Sequence, residues 1–373
     1  MEEATGRKTV DTRSGVALAI AFLSEVNDTL QSILSICATK FSNTFFSLPS
    51  LAEILDCTTA NLERVPDFRV RYWLKKGWPS FYSTCPPTLY PIIIPSLSRI
   101  CAYMNDHLQS VWATVSAIDY ESEPTEEELF QEHMTCLLSR DYIAFLRSVF
   151  LQEPGGKAKQ QQGDEMEEQK EGKESGGPPI QSLSPLGMHV FDMGGPLLSS
   201  FVASAFHALA WRDTQTCVRA IPVARALVEK LSSSFVEDAA VFAFYCTLQS
   251  MRIHGSDEVA IGPLLALVFN TYLAMRPHTT AFVSVLSELP DTSPATIETF
   301  DKKVQAIIAG TEEVPEKARK EMVKKLLRPI ISVTLGEMGR RPVELRPLPP
   351  IEKRCIPKPE ADYAAVADFF GHG

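Results

Sequence analysis

Local signatures of chemistry are scarce in this 373-residue chain. It contains no Gly-x-Ser-x-Gly elbow, no P-loop, no His-Glu-x-x-His and no Gly-rich dinucleotide turn. Those absences remove the common sequence marks of serine hydrolases, nucleotide hydrolases, zinc proteases and nicotinamide-dependent enzymes. No Cys-x-x-Cys pair occurs, and the eight cysteines are scattered through apolar stretches without the spacing of a disulfide framework. Reduced, buried thiols are expected. His133 and Cys136, three apart, are half of a metal site at most, and no second ligand pair lies near them in sequence. His207 falls within an apolar stripe and reads as a core histidine. The expectation is a protein with no catalytic residue, no metal and no cofactor.

Long apolar runs are missing too. Nothing reaches the roughly 18–20 residues that a membrane-spanning helix requires. Val16–Leu23, VALAIAFL, imitates a signal peptide, but Glu2, Glu3 and Asp11 precede it and SEVND follows in place of a small-residue cleavage site. An amphipathic helix starting near Ser14 is the expected structure, in a soluble, intracellular protein without membrane insertion. Positive charge is also short overall. The formal net charge is -10, which excludes a general polyanion binder and confines any nucleic-acid contact to a local patch.

Strand-like alternation and Asn-Gly turns are absent, whereas helical periodicity is nearly continuous. Leu197, Phe201, Ala205 and Leu209 recur every four residues; Val241, Phe244, Tyr245, Leu248 and Met251 form a second stripe, with Gly255 expected at a C′ position. Thr125–Glu128 and Ser234–Glu237 read as capping boxes, and Asp192 before Met193-Gly-Gly-Pro196 as a turn. Helices pair as Leu198–Trp211 with Thr214–Leu231, and Phe235–Arg252 with Glu258–Met275. A repeat of about 40 residues fits the stacked hairpins of an all-α solenoid, with a compact helical bundle as the alternative. The expected organisation is a disordered start at 1–13, helical repeats at 14–151, an acidic linker at 152–182, further repeats at 183–335, and a Pro-rich basic tail at 336–373.

Two basic regions stand out from this acidic background. RVPDFRVRYWLKKGW, residues 64–78, holds five cations and four aromatics. Arg64, Arg69, Arg71, Lys75 and Lys76 interleave with Phe68, Tyr72, Trp73 and Trp78, and Trp73 so near three cations is at odds with a purely apolar core face. The second region runs from Lys317 to Lys358, with Lys317, Lys320 and Lys324 at helical spacing opposite Met322, Val323, Leu326 and Leu327. Each set reads either as a solvated helix face, with Lys and Arg stems packed over rings, or as a polyanion contact. The acidic segment 164–174 offers either set an intramolecular counter-charge.

Several segments resemble a known family. FVASAFHALAWRDTQTC, residues 201–217, is similar to an AF-x-x-LAW-[KR]-DT-x-x-C hairpin turn near the C-terminus of importin-β-type (karyopherin-β) nuclear export receptors that carry hairpin RNAs. Val65–Arg71 with Cys85-Pro-Pro87 resembles the [IV]PD-[YF]-R-[LV]-R and CPP segment of the same receptors. Ala274-Met-Arg-Pro277, and Lys324-Lys-Leu-Leu327 followed by Leu335-Gly-Glu337, fit in the same order, so the resemblance covers most of residues 20–350. It implies a HEAT-repeat α-solenoid, Ran in its GTP form and nuclear pore proteins as partners, and duplex hairpin RNA with a short 3′ overhang as cargo. It also implies shuttling between nucleus and cytoplasm. The family's N-terminal arch, which grips Ran, has no counterpart here, so the chain resembles a C-terminal piece. The final Asp368–Gly373 departs from the family pattern. A helical-repeat scaffold that binds only proteins, with the Pro-rich tail as a docking segment, is the competing expectation.

Overall fold

The computed structural model describes residues 15–118, 123–152, 181–233, 237–289, 292–332 and 348–349. Among these, every named element is helical; extended pairing is confined to one isolated bridge, Leu151 with Leu183. The fold is all-α and built from helical repeats. The chain divides into two compact units, one ending at Tyr103 and the next starting at Met104.

The first unit holds α1 (Gly15–Phe46), α2 (Leu51–Thr59), α3 (Asp67–Tyr72), α4 (Trp78–Ser83) and the first half of α5 (Tyr90–Ser116). A kink at Ser42, with φ 38 and ψ -116, interrupts α1 near its end. Between α3 and α4 the helix does not stop. Trp73–Gly77 forms a π-turn, closed by the Trp78 amide donating to the Trp73 carbonyl. On an ideal α-helix, residues five apart point about 140° away from each other. The wider turn brings Trp73 and Trp78 onto one buried face, 1% and 3% exposed, with ring centroids 5.6 Å apart.

The second unit continues from the end of α5 through α6 (Glu126–Phe150), α7 (Pro185–Met193), α8 (Gly195–Ala210), α9 (Thr214–Ser233), α10 (Glu237–His254), α11 (Ile261–Met275), α12 (Ala281–Ser287), α13 (Pro294–Ile308) and α14 (Glu316–Ser332). The pairs α8–α9 and α10–α11 are antiparallel hairpins. The first helix of one packs on the first of the next, and likewise the second on the second, which is the stacking of an α-solenoid repeat. α14 covers α11 and α10. The core between layers is aromatic: Phe244 stacks on Phe282 at 4.4 Å and 7°, and Tyr272 sits edge-on to Phe300 at 5.1 Å. Residues 152–182, expected as a linker, leave and rejoin the second unit at one point. The Gln152 amide donates to the Ser182 carbonyl at 2.9 Å, and the bridge at Leu151 and Leu183 closes the neck. Positions 153–180 lie outside the described residues.

Helix ends follow the sequence in most places. Thr125 accepts from the Glu128 amide while Glu128 Oε2 accepts from the Thr125 amide at 2.8 Å, a complete capping box. The box expected at Ser234 lies outside the described residues. Gly194 ends α7 with φ 71, so the turn at Asp192–Pro196 needs the left-handed backbone that glycine supplies. Gly255 does close α10, but not by a positive φ, contrary to the C′ reading. A Cβ there would lie 2.3 Å from the Met251 carbonyl oxygen, so the last turn of α10 itself requires glycine, with Ile331 Cγ1 of α14 a lesser contact at 3.1 Å.

The hairpin turns are tied by polar groups. Asp213 caps α9, accepting from the Thr216 amide at 2.9 Å and the Thr216 hydroxyl at 2.6 Å. The same carboxylate accepts Arg140 Nε at 2.7 Å and Nη2 at 2.5 Å from α6. Burial pushes the Asp213 carboxyl up, but these bonds and the guanidinium charge outweigh it and hold it below the ordinary value. One repeat later, Asp257 accepts the Val259 and Ala260 amides in the turn leading into α11, and His254 Nε2 donates to the Trp211 carbonyl at 2.8 Å. Arg276 and Tyr272 converge on Asp301 in the same fashion.

Burial lowers the His254 pKa, opposed by the Trp211 carbonyl bond. The folded state therefore takes up a proton less readily than the unfolded chain. Its contribution to stability is full above the ordinary histidine value near 6.5 and is lost as pH falls below it. The melting temperature should drop between about pH 7.5 and pH 5.5, and His254→Gln, which has no proton to take up, should flatten that slope; equal slopes in differential scanning calorimetry would contradict this reading.

Candidate nucleic-acid interface

Residues 64–78 separate into two groups once folded. Trp73 and Trp78 are core side chains. The Trp73 indole donates to Asp28 Oδ1 at 2.8 Å, and the Trp78 indole to Gln31 Oε1 at 3.1 Å, both on α1. Trp73 therefore belongs to the core despite its cationic neighbours, because its one polar atom finds a carboxylate inside. Arg69 joins the same carboxylate in an ion pair and lies 5.4 Å from the Phe68 ring centroid. Arg69 is thus engaged within the protein, half-buried, by a partner 41 positions earlier.

The remaining cations of the set face outward. Arg64, Lys75 and Lys76 are exposed, and Arg71 is partly so. Phe68 and Tyr72, 58% and 43% exposed, are the aromatic faces available to solvent there. Tyr72 is held by a hydrogen bond of 3.3 Å between its hydroxyl and Ser32 Oγ. The first unit therefore offers two kinds of group suited to a nucleic acid: lysine and arginine charge for phosphate, and exposed rings for bases.

The second set lies on α14, in the other unit. Val323, Leu326, Leu327 and Ile330 are buried, while Lys317, Lys324, Lys325 and Arg328 are exposed. Lys320 pairs with Glu316 at 2.7 Å. Arg319, one step round the helix, donates to the Val314 carbonyl at 2.6 Å and sits over Phe269. Lys303 of α13 and Lys325 line a groove of about 230 Å³ floored by Phe300, Met322 and Leu326. Sequence reading missed Lys303, since two helices must pack before it joins Lys325. It also missed Arg147 of α6 and Arg219 of α9, which line a groove of about 400 Å³ beside the neck of the insertion.

Among the described residues no group of three or more His, Cys, Asp or Glu side chains could hold a metal ion. Burial pushes the Cys85 and Cys136 thiols up to about 12 and about 11, so neither supplies thiolate near neutral pH. His207, 2% exposed, is 3.1 Å from Gln109 Nε2 through Nδ1 and packs edge-on to Phe242. No single described helix is long and apolar enough to cross a membrane.

The Exportin-5 family model matches residues 2–342. The chain belongs to the Exportin-5 family. Similar relatives are Exportin-5 of Homo sapiens, 25% identical over 94% of this chain and 30% of that protein, and Exportin-5 of Mus musculus, 24% identical over 88% and 28%. The chain thus spans under a third of the length of those Exportin-5 proteins. Phe201–Cys217, one of the segments that carried the resemblance, spans the turn between α8 and α9, with Asp213 at that turn.

The two groups of cations should respond differently to substitution. Asp28→Ala leaves Arg69 half-buried without its ion pair and the Trp73 indole without its acceptor, and should cost about 2–4 kcal/mol in urea unfolding. Lys75→Glu with Lys76→Glu should stay within about 0.5 kcal/mol per site of the parent.

Proposed function

We propose that this chain is the part of a nuclear export receptor that grips duplex hairpin RNA by its phosphates, working with Ran in its GTP form and passing the nuclear pore between nucleus and cytoplasm. The observation that carries this reading is membership of the Exportin-5 family over residues 2–342. The outward-facing cations support it from the physical side. A-form RNA is recognised through backbone charge, 2′-hydroxyls and shape, so dispersed Lys and Arg suffice without a base-reading motif. Arg64, Lys75 and Lys76 of the first unit, with Arg71 beside them, and Lys317 and Lys324 of α14 have the exposure this requires. Arg69 pairs with Asp28 of α1 and ties α3 to it, whereas Lys320 pairs with Glu316 on its own helix. Binding, not turnover, is the mechanism, and energetic linkage between RNA and Ran sites is what would make loading reversible.

Titration of the folded chain against a short hairpin RNA with a 3′ overhang, across a salt series, tests this. Affinity should fall steeply with salt. Arg64→Glu, Lys75→Glu and Lys76→Glu together should weaken it at least roughly tenfold and make the log–log salt slope shallower by about 0.7–0.9 for every phosphate the variant leaves unneutralised. Lys317→Glu with Lys324→Glu should act in the same direction. A folded parent chain that does not bind the hairpin at low salt would sink the RNA reading and leave a protein-binding helical scaffold.

A further inference from the structure

The last part of the tail differs in chemistry from the part before it. Residues 333–359 carry six Lys and Arg against three Glu, whereas Glu360–Phe370, EADYAAVADFF, carries three acids and no cation. The segment lies outside the described residues. Its sequence, taken at 100° per residue, sets Tyr363, Val366 and Phe370 in one stripe. Glu360 falls about 80° to one side of that stripe and Asp362 about 80° to the other. Apolar anchors at i, i+3 and i+7 are the pattern of a helix that lies in a groove.

The groove between α13 and α14 has the complementary arrangement. Phe300, Met322 and Leu326 floor it, Lys303 lies on the α13 wall and Lys325 on the α14 wall, both exposed, and no acid lines it. We infer that Glu360–Phe370 docks in this groove of its own chain, its apolar stripe on the floor and its two flanking acids toward the two lysines. Reach favours this occupant. Ser332 ends α14 only six residues beyond Leu326, about 9 Å along the helix, and residues 333–359 can span up to roughly 90 Å. Tethering then makes the encounter intramolecular, an advantage that a separate protein lacks. An RNA phosphate would pair with the lysines but would leave the apolar floor in water.

Amide hydrogen exchange of the full chain without RNA, read by mass spectrometry over residues 360–370, decides the matter. A free segment of eleven residues is too short to hold a helix in water, so slow exchange there reports docking. The parent should exchange at least roughly tenfold more slowly in this segment than Lys303→Glu with Lys325→Glu, or than Tyr363→Ser with Phe370→Ser. Both lysines are exposed, so the groove variant should melt with the parent. Adding Glu360→Lys with Asp362→Lys to that groove variant should restore the protection, which a merely unfolded groove would not allow. Fast exchange of the parent segment overturns the inference, as does protection indifferent to the groove variant. Protection that rises with protein concentration would place the segment on another copy and overturn it too. So would a groove that added hairpin RNA protects while residues 360–370 exchange freely. Because the parent is first measured without RNA, its result is separate from that of the RNA titration.

Discussion

The second unit turns on one carboxylate. Asp213 ends the α8–α9 turn, satisfies the first amides of α9 and receives both guanidinium bonds of Arg140 from α6. A helix start otherwise leaves amides without partners, and a buried guanidinium alone would be costly. Sharing one aspartate answers both demands and fixes how one hairpin seats on its neighbour. Asp301, within α13, receives only side chains, Arg276 and Tyr272 from the end of α11.

Charge is divided by residue type. Arg69, Arg99, Arg140 and Arg276 hold carboxylates within the fold, as suits a planar, multi-donor group that tolerates partial burial. Most solvent-facing cations at the two candidate surfaces are lysines, strongly hydrated point charges on flexible stems. An acidic protein can thereby keep local positive surface without destabilising its interior.

What the sequence disclosed followed the range of the interactions. The capping box at Thr125, the break at Gly194 and the α8–α9 and α10–α11 hairpins depend on neighbours a few residues apart, and periodicity exposed them. Trp73 was misleading because its partner Asp28 is 45 positions away and because a π-turn breaks the 3.6-residue rhythm on which face assignments rest. Arg69 looked like surface charge for the same reason. The grooves near Lys303 and Arg147 needed two packed helices each, which no local pattern encodes. Helix α1 leaves Leu18, Phe22 and Leu30 exposed, which periodicity could not foresee, since it says that a face is apolar and not whether the fold covers it.

The π-turn at Trp73–Gly77 also bears on descent within the family. Such a turn is what remains when one residue is inserted into a continuous α-helix and the flanking turns keep their places. Deleting one residue there would restore an ordinary helix with Trp73 and Trp78 four apart and still on one face, while the side chains of the turn itself would be re-aimed. Among distant relatives, then, a single-residue gap in an alignment can fall in the middle of this helix and not in a loop, and the two outcomes correspond to two ways of aiming the cations at 75 and 76.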